Sequence, residues 1–95
     1  MKPFGIDQAE KYLVEVPGWN LDERGVKLYR EYKFKDFVEA MKFVNKVAEI
    51  AESEGHHPDI QIHYNKVLIE LWTHAIGGLS ENDFIVAAKM DAVKN

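Results

Sequence analysis

Hydrophobic residues change their spacing several times along this chain, and each change marks an element. From Lys35 to Glu54 the apolar positions Phe37, Ala40, Met41, Val44, Val47, Ala48 and Ala51 recur every three or four residues, which is one face of an α-helix. Lys42, Lys46 and Glu49 take the opposite side, while Phe43 and Ile50 fall outside the main stripe. Gly55 follows as a C-terminal stop. After "HHP" the period drops to two. Ile60, Ile62 and Tyr64 alternate with polar residues, and Val67, Ile69, Leu71 and Thr73 share one face of a second strand. Its other face carries Leu68, Glu70, Trp72 and His74. A tight turn at Asn65 and Lys66 joins the two strands and pairs Tyr64 with Val67.

Upstream, "DQAEKYLVEV" reads as a short helix that Asp7 can cap, ended before Pro17 and Gly18. "GWNLDERGVKLYREYKF" reads as a hairpin with "DERG" as its turn. Val26, Leu28, Arg30, Tyr32 and Phe34 share one face of its second strand; Lys27, Tyr29, Glu31 and Lys33 share the other. Arg30 and Tyr29 each break the alternation. Downstream, Ser80 begins a final helix after "GGL", and Asp83 stands where an acid closes a capping box. The order is α-β-β-α-β-β-α. It predicts an α+β fold in one domain, residues 1–95, with helices packed on one face of a four-stranded antiparallel sheet.

Composition narrows the function more than the fold. A net charge of −4 argues against general nucleic-acid binding, which usually needs a basic face. The absence of cysteine excludes disulfides, thiolate metal sites and a cysteine nucleophile. No apolar run approaches the ~20 residues that span a bilayer, and no secretory signal is evident, so the expectation is a cytoplasmic protein without a membrane partner.

All four histidines lie between Glu54 and Asp83. His56 and His57 directly follow the helix stop, so backbone geometry fixes where they begin. The hairpin register sets His74 opposite His57, and a slip by one residue would undo this. His63 sits mid-strand and reads as a surface residue. Three readings compete for His56, His57 and His74: a turn that happens to contain histidine, a metal site, and an acid–base site. Adjacent residues in extended chain point to opposite sides, which makes joint ligation by His56 and His57 awkward. Imidazole titrates near neutral pH and both gives and takes protons, so the acid–base reading suits these residues better. Glu52 is out of place in a last helical turn, where the dipole disfavours negative charge. Asp83 has a sufficient role as a cap. Trp19 and Trp72 are the ordinary material of cores and interfaces, although Trp72, beside His74, can also stack on a flat ring.

Taken together, Glu52, His56, His57, Pro58, Tyr64, His74 and Asp83 resemble the spaced pattern of the pterin-4a-carbinolamine dehydratases, also described as dimerization cofactors of a homeodomain transcription factor. "YNKV", "THAIGGLSENDF" and the pair Gly18 and Trp19 are similar to further features of that family, and the likeness runs nearly the whole chain. The resemblance implies dehydration of a 4a-hydroxytetrahydropterin to the quinonoid dihydropterin, recycling the cofactor of aromatic amino-acid hydroxylases. It implies His56 and His74 as the acid–base residues, His57 as a pterin-positioning residue, and Glu52 and Asp83 as orienting groups, with no metal and no organic cofactor. A non-enzymatic interaction module, and a histidine metal-binding protein, are the alternatives.

Assembly is the last expectation. The final helix carries Phe84, Ala87 and Ala88 on one stripe and Val86, Met90 and Val93 on another. One stripe covers the sheet, which leaves the second, together with Phe43 and Ile50, as interface surface. A homodimer or homotetramer follows, in keeping with the family resemblance.

Overall fold

The computed structural model describes residues 2–94. Its elements run α1 (Ile6–Leu13), β1 (Asn20–Leu21), β2 (Leu28–Lys33), α2 (Phe37–Glu54), β3 (Asp59–His63), β4 (Lys66–Leu71) and α3 (Glu81–Ala92), with a short 3-10 turn at His74–Ile76 between the last two. This is the predicted order. The four strands form one antiparallel sheet in the order β1-β2-β4-β3, with α2 crossing between β2 and β3. Leu28 and Tyr32 of β2 and Val67, Ile69 and Leu71 of β4 turn inward, and the helices cover that face.

Helix ends follow local chemistry, with one departure. Asp36 caps α2 by accepting from the Glu39 N–H at 2.9 Å. The first helix is capped by Gly5 rather than Asp7, which instead lies inside the first turn, where an acid suits the dipole. It also ends at Leu13, earlier than expected. Glu15 and Val16 donate back only three residues, to Tyr12 and Leu13, and Pro17 biases Val16 away from helical geometry.

The face that α2 turns inward differs from the predicted stripe. Ala40, Phe43, Val47 and Ala51 are buried, with Val44 and Ile50 packed at the edge of the core. Phe37 is 48% exposed and Ala48 faces solvent. Two apolar rows run along this helix about one residue apart, so spacing alone does not choose between them. The choice is made by the sheet: the Phe43 ring packs 4.5 Å from Tyr32 and 5.1 Å from Phe34.

On the final helix the stripe expected to be spare, Val86, Met90 and Val93, is packed in or against the core. Phe84 meets Tyr12 and Phe4 on its α1 side, at 5.4 and 6.3 Å between ring centres. Val86, Ala87 and Met90 are fully covered by the rest of the core. α3 packs against both α1 and α2 with the side that carries Phe84, Val86, Ala87 and Met90. Ile85, Ala88 and Ala92 are its exposed apolar positions.

Arg30, which broke the strand pattern, sits on the inward face and is neutralised there. Its Nη1 lies 3.1 Å from Asp91 on α3, and its guanidinium covers the Tyr32 ring at 4.6 Å. Gly18 makes room for it: with φ at 100°, its backbone approaches so closely that a Cβ would fall 2.8 Å from that same nitrogen. Asp91 also accepts from Trp19 Nε1 at 3.0 Å and from the Tyr32 hydroxyl. Burial, reinforced by the bond to Asp91, pushes the Tyr32 hydroxyl far above the ordinary phenol range, so it stays a donor. Asp91→Ala orphans two buried donors, and should lower stability by ~2 kcal/mol or more in a urea titration, with little change in slope.

Candidate active site

The site begins where α2 stops. Gly55 adopts the left-handed conformation (φ 63°), and its N–H turns back to Glu52 while the next N–H, of His56, reaches Ala51 at 3.0 Å. These two bonds make a Schellman motif, so the backbone of His56 is part of the helix terminus itself. Pro58 then favours extended geometry at His57. The two adjacent imidazoles leave the turn toward different carboxylates.

His56 reaches inward. Its Nε2 lies 2.5 Å from Asp83 Oδ1, with 13% of its side chain exposed and none of the aspartate's. Asp83 closes the capping box of α3 as expected, its Oδ2 accepting from the Ser80 N–H at 2.9 Å. The same oxygen accepts from the Thr73 hydroxyl at 2.8 Å, which itself meets Ser80 Oγ at 2.7 Å. Every oxygen of this buried carboxylate is therefore satisfied, and no buried side-chain polar atom among the described residues lacks a partner. Capping alone uses one oxygen; His56 uses the other.

His57 points outward, and its Nε2 lies 2.5 Å from Glu52 Oε2. This pair spans the Gly55 turn and accounts for an acid in a helical position that the dipole disfavours. With side chains 61% and 77% exposed it sets orientation and adds little to stability.

The third imidazole arrives from β4, by a register that differs from the predicted one. His63 pairs with Lys66 and Ile62 with Val67, so the loop is Tyr64 and Asn65, with Tyr64 at φ 53°. The expected partner of Val67 was Tyr64. A shift by two residues keeps every side chain on its predicted face, which is why the core pattern survived it. Counting outward from Asp59 and Glu70, His57 stands level with Trp72, and the strand ends before His74. An isolated bridge between Thr73 and Gly78 then closes the loop in which His74 opens the 3-10 turn. From there its ring stacks on Trp72, 4.2 Å between centres at 33°.

Gly55, His56, His57, Trp72, Thr73, His74 and Ala75 line one cleft of about 270 Å³. The three predicted imidazoles therefore do meet, with Trp72 beside them and Glu52 and Asp83 behind them. His63 and Tyr64 lie at the far end of the hairpin and take no part. Trp19 belongs to the core. Thr73 was not anticipated. Its only signal was indirect: a buried Asp83 needs more donors than a cap supplies. Among the described residues no group of three His, Cys, Asp or Glu side chains is arranged to hold a metal ion, because His56 and His57 have each turned to a carboxylate of their own.

Comparison with known proteins gives a consistent picture. The family model described as pterin 4 alpha carbinolamine dehydratase matches residues 2–93. A protein of Halorhodospira halophila, provisionally named for that activity, is 50% identical over 91 residues, covering 96% of this chain and 84% of its own. The mitochondrial pterin-4-alpha-carbinolamine dehydratase 2 of Arabidopsis thaliana is 51% identical over 89 residues, covering 90% of this chain and 48% of its own. The crystal structure of a transcriptional coactivator/pterin dehydratase from Brucella melitensis superposes with a TM-score of 0.92 at 32% identity, over 99% of this chain and 100% of that one.

The Asp83 carboxylate accepts at both oxygens, so neutral His56 must carry its proton on Nε2 and leave Nδ1 as the basic nitrogen. Nitrogen-15 NMR of the imidazoles should report that tautomer for His56; a proton on Nδ1 in the neutral ring would contradict the arrangement.

Proposed function

The chain belongs to the pterin-4a-carbinolamine dehydratase family, and from that premise we propose that it dehydrates a 4a-hydroxytetrahydropterin to the quinonoid dihydropterin by imidazole acid–base catalysis. The observation that carries this reading is the shared cleft of His56, His57 and His74, walled by Trp72, with His56 fixed on a buried carboxylate.

The reaction needs two proton transfers. One imidazolium gives a proton to the 4a-hydroxyl as the C4a–O bond breaks, and water leaves. One neutral imidazole takes the proton from N5, whose bonding electrons become the C4a–N5 double bond. Nothing is oxidised or reduced, and no metal or organic cofactor enters. His56 and His74 are the pair assigned to these transfers. Asp83 supports a positive charge on His56 and holds its ring, as a buried carboxylate does in other imidazole-based sites. His57, turned outward on Glu52, lines the cleft as a pterin-positioning group. Trp72 offers an aromatic surface suited to a flat heterocycle. Each turnover leaves the two imidazoles with exchanged protonation, and the solvent-exposed side of the cleft, where His74 lies, allows the reset. Recycling the cofactor of aromatic amino-acid hydroxylases is the role this chemistry serves.

A homo-oligomer is part of the same proposal, although on different surfaces from those first expected. On α2, Phe37 and Val38 are 48% and 61% exposed, with Met41 and Val44 partly so, forming an apolar row that the chain's own core does not cover. In addition, β3 is a sheet edge, and Ile62 and Tyr64 are exposed along it.

His74→Ala should slow dehydration of the carbinolamine by ~10²–10⁴ while the circular dichroism spectrum is retained, and prolonged chelation should leave the wild-type rate unchanged. An unaltered rate in the folded variant removes the assignment, and a chelation loss that zinc restores favours the metal alternative. Light scattering at micromolar concentration should give a dimer or tetramer that Phe37→Glu weakens; a monomeric mass for the wild type ends the oligomer proposal.

A further inference from the structure

The mechanism leaves one charged group beside the cleft unused. Lys27 Nζ lies 4.5 Å from the centre of the Trp72 ring, and that same indole stacks on His74 at 4.2 Å. The placement follows from the sheet. Leu28 pairs with Leu71, so one step outward Lys27 stands level with Trp72, on the sheet face the helices leave open. On the other side of β4 the corresponding step brings His57 level with the same tryptophan.

The backbone of Lys27 is held unusually well for a hairpin residue. Asp22 Oδ1 accepts from the Val26 and Lys27 N–H groups at 2.8 and 3.1 Å, and the Asp22 N–H donates to the Lys27 carbonyl at 3.0 Å. The "DERG" turn thus fixes where the Lys27 side chain leaves the backbone, beside Trp72. A cation over an indole is attracted to the ring's negative face, and at a partly exposed site that is worth about two- to fivefold in an equilibrium.

Resting on the dehydratase reading above, we propose that Lys27 is a positioning residue of the reaction: it seats the Trp72 indole, and through that ring it holds His74 in the orientation needed for proton transfer. Lys27 does not line the cleft and touches no reacting atom. Its effect passes through a side chain that packs on the imidazole, and it comes from a hairpin more than forty residues before Trp72 and His74 in the chain.

The test compares wild type, Lys27→Met, which keeps the alkyl stem without the charge, and Lys27→Arg, which restores a cation. Two readouts are taken: turnover of the 4a-carbinolamine of 6-methyltetrahydropterin, and the NMR resonances of the His74 ring, which the indole ring current displaces. Lys27→Met should move the His74 resonances and lower kcat about two- to fivefold, with KM and melting temperature nearly unchanged, and Lys27→Arg should restore both readouts. Unmoved His74 resonances overturn the proposal. So does a rise in KM alone, which would mean direct substrate contact, or a loss that tracks melting temperature and is not restored by arginine. An inactive wild-type protein would refute the dehydratase reading instead, and the His74 resonances would still decide whether Lys27 orders the stack.

Discussion

A carboxylate with no solvent exposure must find hydrogen-bond donors or lose its charge, and that demand at Asp83 organises the molecule around it. Its donors come from three segment ends: Ser80 at the start of α3, Thr73 just beyond β4, and His56 just beyond α2. Of the three, only β4 belongs to the sheet, and the other two are helices. Satisfying one group therefore ties the last helix to the hairpin and to the long helix at a single point. The bonds from Thr73 and His56 are the two that a helix cap does not require, and the second converts a structural necessity into a held imidazole.

Local signals were legible in the residues themselves. Gly55, Ser80 and Asp83 announced two helix ends, and alternation at Ile60, Ile62, Val67 and Ile69 announced the hairpin, because each of these features depends on near neighbours only. Facing was less legible. Two apolar rows on α2 are equivalent until the rings of Tyr32 and Phe34 select Phe43. The exposed side of α3 mixes Ile85, Ala88 and Ala92 with Glu81, Asn82 and Lys89, so polarity alone did not orient it. The hairpin register missed by two residues because Tyr64 accepts a positive φ that sequence gives little reason to assign to a tyrosine.

The same division holds at the candidate site. His56 and His57 could be grouped from the helix stop, and His74 was placed near them by a register off by two residues, the 3-10 turn after β4 bringing it to the same cleft. Their partners could not be ranked in that way. Glu52 was visible only as a misplaced charge, and its match with His57 depends on the reach of two side chains across the Gly55 turn. Thr73 and Lys27 were legible only as strand-face positions, for their roles arise from Asp83 and Trp72, contacts made in space. The pairing of Asp91 with Trp19, Arg30 and Tyr32 was hidden for the same reason, joining residues 59 to 72 positions apart.

Because the cleft is assembled from the stop of α2, the strand end at Trp72 and the cap of α3, no single secondary-structure element contains it. A partly folded chain can possess the whole long helix, and thus His56 and His57, and still have no wall for a pterin to lie against. Helical content and catalytic competence are then separable observables. A sub-global opening that undocks the hairpin end would leave far-ultraviolet signals almost intact while abolishing the site. Turnover in such a protein gauges the completeness of the native state more strictly than far-ultraviolet spectroscopy does.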